Sequence, residues 1–322
     1  MKIQKLTKNF DPRGIAGVYD LDFELDSKKV VALLGPSGCG KTTTLNLINK
    51  TLTSDSGEIT GNEKVLMLST PSIFKSGMKL IDNLALAVEK LGTEEQHNLI
   101  RPWLGEFDLT NETNSNVETL SEGQKQRALI IHSLIQRPEL LLLDEPFEHL
   151  EPNLKKELMN RLFEISRERG IGVFWVTHDL KLALSFSDEV MLMNFGKIVQ
   201  AGKPEDVFHQ PNSLFSAQYF GETNILVGKV SNNIFHSPIG KIPFEHEDGD
   251  DLCFQLKPHQ LTIDESGDFK GRVQNRWFEG ETYLYLLDVG GFDIYLRSSQ
   301  LQTHPKLSFS LESSDLHQLP SL

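Results

Sequence analysis

Two cysteines, Cys39 and Cys253, are all that the 322 residues contain. They are far apart and lack the spacing of a zinc site or a disulfide framework, which fits a reducing cytoplasm. Apolar runs are short, none approaching the roughly 20 residues of a bilayer-spanning helix. The first residues, "MKIQKLTKNFDPRG", have no apolar signal-peptide region, so membrane association is expected only through a partner. Basic runs are missing too. With 32 Lys and Arg against 45 Asp and Glu the formal charge is -13, which opposes a polyphosphate backbone and argues against nucleic acid as a partner. There is no internal repeat and no low-complexity tract, and glutamine is absent from residue 5 to residue 95. What remains is ordinary globular composition, 39% hydrophobic and 24% charged, in a chain long enough to favour two domains.

Three short apolar runs, "VVALL" (30–34), "LLLL" (140–143) and "VFWV" (173–176), have the unbroken hydrophobicity of strands buried on both faces. Helical patterns lie between them. In Asn153 to Arg169, Leu154, Leu158, Leu162 and Ile165 recur at turn spacing and Gly170 supplies a stop. Strands alternating with helices predict an α/β domain built on a mainly parallel sheet. Residues from about 85 to 135 read instead as a helical insertion with polar loops such as "LTNETNSN". From Thr223 onward short alternating runs, "FQLKP", "YLYLLDV", "FDIYLR" and "LSFSLE", predict a small β domain. The expected boundary is near Gly221, giving domains 1–221 and 222–322. The acidic stretch "EHEDGDD", Glu245 to Asp251, reads as a solvated hairpin turn in preference to a metal site.

"GPSGCGKTT", Gly35 to Thr43, fits G-x-x-x-x-G-K-[ST] directly after a buried strand and predicts a P-loop nucleotide-binding domain. Gly35, Ser37, Gly38, Cys39, Gly40, Lys41, Thr42 and Thr43 would surround the phosphates, because glycines let backbone N–H groups turn inward and the following helix presents its positive end. Lys41 would bridge the outer phosphates and the Thr42 hydroxyl would ligate Mg2+. Cys39 reads as a small filler with no redox role. In "LLLLDEP" a buried strand delivers Asp144 and Glu145 to its C-terminal edge, where ligands of open α/β sheets bind. Asp144 would hold Mg2+ and Glu145 would polarise the attacking water.

"LSEGQKQR", Leu120 to Arg127, resembles the L-S-x-G-Q signature of the ATPase subunits of ATP-binding cassette (ABC) transporters, and "RPELLLLDEP" and "VTHD" follow in family order. The resemblance spans roughly residues 1 to 221. It implies a head-to-tail homodimer binding ATP and Mg2+, with each nucleotide between one subunit's Gly35–Thr43 loop and the other's Ser121, Gly123 and Gln124. It makes His178 the residue that contacts the γ-phosphate, and Phe10 the aromatic that stacks on adenine, with Tyr19 as the alternative. The β domain is similar to the OB-like accessory domain of importer ATPases, and "FQLKPHQLTI" carries Lys257 and His259 where that domain has Arg and Glu. The implied partners are polytopic membrane permease subunits and, indirectly, a solute-binding protein. The implied place is peripheral, on the cytoplasmic face of the inner membrane. Iron(III), a polyamine or a sugar all remain open as cargo.

Two departures from the family pattern accompany the match. Counting back from "MKLIDNL", the position of the magnesium-contacting glutamine falls on Thr70 in "VLMLSTPSIFKSGMKL", and "EHLEP" has Glu148 and Glu151 where the family loop ends in Asp. Thr70 has a shorter reach and only a hydroxyl. The expectation is an ATPase that works but is slowed or conditionally coupled. The alternatives are a regulatory or scaffolding subunit with weak hydrolysis, and a soluble ABC ATPase, which the charge, the single cassette and the β domain disfavour.

Overall fold

The computed structural model describes the chain apart from residues 12–15, 69–72, 149 and 321–322. It divides into two compact units, Met1–Glu205 and Asp206–Leu322. The first contains strands β1 (Lys2–Asn9), β2 (Gly17–Glu24) and β3 (Val30–Leu34), helix α1 (Lys41–Ile48), and strands β4 (Ser56–Thr60) and β5 (Val65–Met67). Helices α2 (Leu80–Ala85), α3 (Thr93–Glu106) and α4 (Glu122–Leu134) come next. They are followed by β6 (Leu140–Asp144), α5 (Pro152–Arg169), β7 (Gly172–Val176), α6 (Leu180–Phe186), β8 (Glu189–Asn194) and β9 (Lys197–Gly202).

A six-stranded sheet of order β5-β6-β7-β3-β8-β9 forms the centre, and β2-β1-β4 form a second, antiparallel sheet. Strands β5, β6, β7, β3 and β8 run parallel, and β9 alone is antiparallel. This is the α/β arrangement expected from the alternating pattern. Every residue of β3 and β7 is buried, as an apolar run covered on both faces should be. β5 is only half-buried, because it is an edge strand of the sheet. Ile3, Leu6 and Leu21 of the smaller sheet share one core with Leu33, Leu45, Phe174 and Met191. Burying each such side chain contributes about 1.5–3 kcal/mol.

Helix α5 turns Leu158, Met159, Leu162, Phe163 and Ile165 inward and stops at Gly170, whose φ of 67° is the left-handed cap. Between Met67 and Leu140 no strand occurs among the described residues, in agreement with a helical insertion.

Helix α7 (Pro204–His209) spans the division between the units and α8 (Leu214–Tyr219) lies in the second. Strands β10 (Asn224–Ser231), β11 (Ile234–Ser237), β12 (Gly240–Pro243), β13 (Gly249–Leu256) and β14 (Thr262–Ile263) follow. The last five are β15 (Phe269–Phe278), β16 (Tyr283–Val289), β17 (Phe292–Ser298), β18 (Lys306–Ser310) and β19 (His317–Leu319). Two antiparallel sheets result, β12-β11-β10-β13-β19 and β14-β18-β15-β16-β17. Leu226, Phe235 and Phe254 of one share a core with Tyr285, Leu296 and Phe309 of the other. This β-rich unit is consistent with an OB-like domain. It begins ahead of the Gly221 boundary expected from sequence, because Ala217 of α8 packs with Cys253 and Leu319. "EHEDGDD" is not a hairpin turn. Glu245–Asp248 lie in the connection from β12 to β13 and Gly249–Asp251 open β13; these strands pair with β11 and β10 and not with each other.

Candidate active site

The sheet order decides which loops meet. β6, β7 and β3 are consecutive neighbours, so the loops after Asp144, Val176 and Leu34 emerge side by side at one edge. β5 is next to β6, and the chain leaving it runs toward Thr70, which lies outside the described residues.

The loop after β3 is built from backbone that only glycine accepts easily. Gly40 has φ 113°, and a Cβ there would lie 2.6 Å from Val18 Cγ1 and 3.2 Å from the Gly17 carbonyl. Strand β2 therefore lies against the loop. Gly35 has φ 151° and backs on the Met193 carbonyl of β8, 2.3 Å from where a Cβ would be. The exposed turn Pro36–Gly38 stands between these anchors. Lys41 is buried, and its ammonium donates to the Gly35 carbonyl at 2.8 Å and the Pro36 carbonyl at 2.9 Å. Thr42 is exposed and Thr43 half-buried at the start of α1. Cys39 is buried beneath the loop. Burial raises its thiol pKa against the opposing pull of Lys41, which suits a filler and not a reactive thiolate.

Strand register brings the acids to this loop. Asp144 pairs with Val176 across β6 and β7, and Glu145, the residue after β6, donates its N–H to the Val176 carbonyl at 3.1 Å. Glu145 has φ 47° and Phe147 φ 63°, conformations that non-glycine residues hold only when the surroundings enforce them. His178 Nε2 lies 2.6 Å from Glu145 Oε1. The donor set suits Mg2+ bound together with phosphate. Among the described residues no cluster of three or more acidic, His or Cys side chains could hold a metal unaided, and Asp144 with the Thr42 hydroxyl leaves room for phosphate oxygens in the octahedral set this ion prefers.

The other predicted residues fall on separate elements. Phe10 follows β1, is 55% exposed, and has Lys8 Nζ 5.9 Å from its ring centroid. Tyr19 is half-buried, and its hydroxyl donates to Asn9 Oδ1 at 3.2 Å, an arrangement that ties the ring to the β1–β2 pair. Ser121 caps α4, its Oγ accepting from the Gln124 N–H while Gln124 Oε1 accepts from the Ser121 N–H, the reciprocal capping box. Gly123 faces Leu154 of α5, which a Cβ would approach to 2.9 Å. Glu151 is the residue before α5 and makes no side-chain cap.

Two residues were not singled out from sequence. Asn83 on α2 is 2% exposed; its Oδ1 accepts from the Lys75 N–H at 2.6 Å and its Nδ2 donates to the Lys75 and Met78 carbonyls at 3.1 and 3.2 Å. It fixes the turn from Lys75 to Met78 ahead of α2. Glu112 accepts from Gln124 Nε2 at 2.9 Å and so holds the signature helix from below. Glu112 lies within the expected insertion and Asn83 just ahead of it in "MKLIDNL", and nothing in the sequence set either apart.

The family described as ABC transporter matches residues 18–148. A spermidine/putrescine import ATP-binding protein of Clostridium novyi (strain NT) is 30% identical over 88% of this chain and 86% of its own length. The chain belongs to the ABC transporter ATPases. The corresponding import ATP-binding protein of Borreliella afzelii (strain PKo) is 28% identical over 98% of this chain and 97% of its length. The solved structure of a component of the ABC transporter complex cbiONQ from Clostridium perfringens aligns with a TM-score of 0.59 at 25% identity, covering 64% of this chain and 89% of that one. No helix among the described residues is long and apolar enough to cross a membrane.

Proposed function

We propose that this ABC ATPase powers import of a polyamine, acting as a head-to-tail homodimer on the cytoplasmic face of the membrane beneath permease subunits. The cargo assignment draws on the relatives, which are named for spermidine and putrescine import and align along almost the whole chain, β-rich unit included. Phe10 stacks on adenine. The N–H groups of Gly38 to Thr43 cradle the phosphates, and Lys41 exchanges its two carbonyl acceptors for phosphate oxygens. Thr42 and Asp144 would hold Mg2+, which would supply charge neutralisation at the phosphates. Glu145 orients and deprotonates the attacking water, and His178 holds that carboxylate in place and meets the γ-phosphate. Ser121, Gly123 and Gln124 complete the site across the dimer, so that closure and hydrolysis become one event.

The 2.6 Å approach of His178 to Glu145 carries this reading, because a carboxylate base is favoured by a partner within hydrogen-bond reach that orients it. Steady-state ATP hydrolysis by wild type, Thr70→Gln and Glu145→Gln, with the permease present, tests it. Loss of turnover in Glu145→Gln and an equal or faster rate in Thr70→Gln are expected. Equal rates in all three would leave the weakly hydrolysing, regulatory reading that the missing glutamine suggests.

A further inference from the structure

The second unit contains a small polar cavity that nucleotide chemistry does not use. It measures about 100 Å³, room for about three water molecules at ~30 Å³ each. Thr223, Gln255, Lys257, His259, Arg297 and Phe208 line it. The lining comes from α7, the lead-in to β10, the end of β13 and strand β17, with Asn224 fastening two of these: its amide donates to the Tyr295 carbonyl at 2.8 Å and accepts from the Tyr295 N–H at 2.7 Å.

The chemistry of the lining points to one class of ligand. The Thr223 hydroxyl is buried and has no hydrogen-bond partner, a state that costs about 1–3 kcal/mol if left unmet. Lys257 is 9% exposed, donates to the Phe208 carbonyl at 2.7 Å and stands 3.0 Å from the Phe208 ring centroid. That contact uses one of its three N–H bonds. Burial lowers its pKa to about 8, so an ammonium is kept here at a cost that a bound anion would offset. Burial lowers the His259 pKa as well, assisted by the nearby charges of Lys257, Arg297 and His209 and opposed by Asp315. Two more carboxylates are close. Glu279 is committed to Arg297, accepting from its Nε at 2.8 Å and Nη2 at 3.2 Å, and Glu222 lies on the exposed side of the cavity.

We infer that this cavity is a binding site for a small oxyanion, phosphate or sulfate, received by Lys257, His259 and the Thr223 hydroxyl. The competing account is that Lys257 only ties α7 to the β sheet and the cavity holds water. The inference is independent of the ATPase reading and of the cargo.

The test uses the full chain with saturating ADP, so that the phosphate loop is filled, and follows the His259 ring resonances by NMR while sulfate, inorganic phosphate, acetate or chloride is added. Saturable movement with sulfate and phosphate is expected, accompanied by a rise of the His259 titration midpoint. Acetate and chloride should bind at least tenfold more weakly. Thr223→Val and Lys257→Met should each weaken sulfate at least tenfold while Lys257→Arg retains it. Absence of saturation, an equal response to chloride, or sulfate binding unchanged in Thr223→Val would overturn the proposal. Thr223→Val alters no charge and no carbonyl contact, so it decides the matter if Lys257→Met fails to fold.

Discussion

Glu145 Oε1 and His178 Nε2 are 2.6 Å apart because β6 and β7 are adjacent and in register, Asp144 opposite Val176. The left-handed φ of 47° at Glu145 then carries the chain away from the strand direction. The contact needs no long loop to create it. Two strand ends deliver a carboxylate and an imidazole to the same point.

If that pair acts as one unit, removing either member should cost much of what removing both costs. Glu145→Gln is expected to bind ATP normally and to lose about 10²–10⁴-fold in single-turnover hydrolysis, the usual range for a general base. The double variant with His178→Ala should fall little further than Glu145→Gln alone, and simple multiplication of the two losses would show that they work separately.

The two central loop glycines should differ in sensitivity. Both have positive φ, but a Cβ on Gly38 meets open space whereas one on Gly40 meets Val18 at 2.6 Å. Gly38→Ala should therefore cost only the backbone term, about 1–2 kcal/mol. Gly40→Ala should lower the thermal midpoint further and weaken ATP binding more. Equal midpoints for the two variants would argue against β2 pressing on the loop.

Asn83→Ala should release residues 75–79 ahead of α2. The side chain is buried and meets the Lys75 N–H and the Lys75 and Met78 carbonyls, so leaving those groups unpaired should cost about 1–3 kcal/mol. Faster amide exchange at residues 75–79, with protection in β3 and β7 unchanged, is the expected readout.

His132 on α4 meets the Phe74 ring edge-on, with centroids 6.3 Å apart, and burial lowers its pKa. A histidine kept neutral in the fold contributes stability above its unfolded pKa of about 6.5 and loses it as pH falls through that value. Thermal midpoints of wild type should decline from pH 6.5 downward more steeply than those of His132→Phe. Parallel curves would remove His132 from the acid response.

The positions of Lys41, Asp144, Glu145 and His178 at or just beyond strand ends were legible because each sits in a local motif at the end of a strand whose apolar run identifies it. The helical insertion and the stop at Gly170 were legible for the same reason. Asn83 and Glu112 were not, since their roles depend on groups that a loop brings back to them, Lys75 and Gln124. In the second unit the strands could be read singly, but their pairing could not. β13 is joined by β19 from the far end of the chain, and residues 206–221 belong with this unit through contacts such as Lys257 to Phe208. Glu245–Asp251 looked like a turn because composition reports solvent, not which strands a connection joins.

If Lys41 receives phosphate as proposed, the hold of the Gly35 and Pro36 carbonyls on its ammonium makes nucleotide capture a competition. An incoming group must outbid two neutral acceptors for one cation. Neutral ligands, and the hydroxyl end of a nucleoside, offer nothing better than the carbonyls already there. A chain of phosphates does, since hydrogen bonds to charged acceptors are roughly twice as strong. Selection for polyphosphate would thus begin in the fold's own wiring, before any contact with the base.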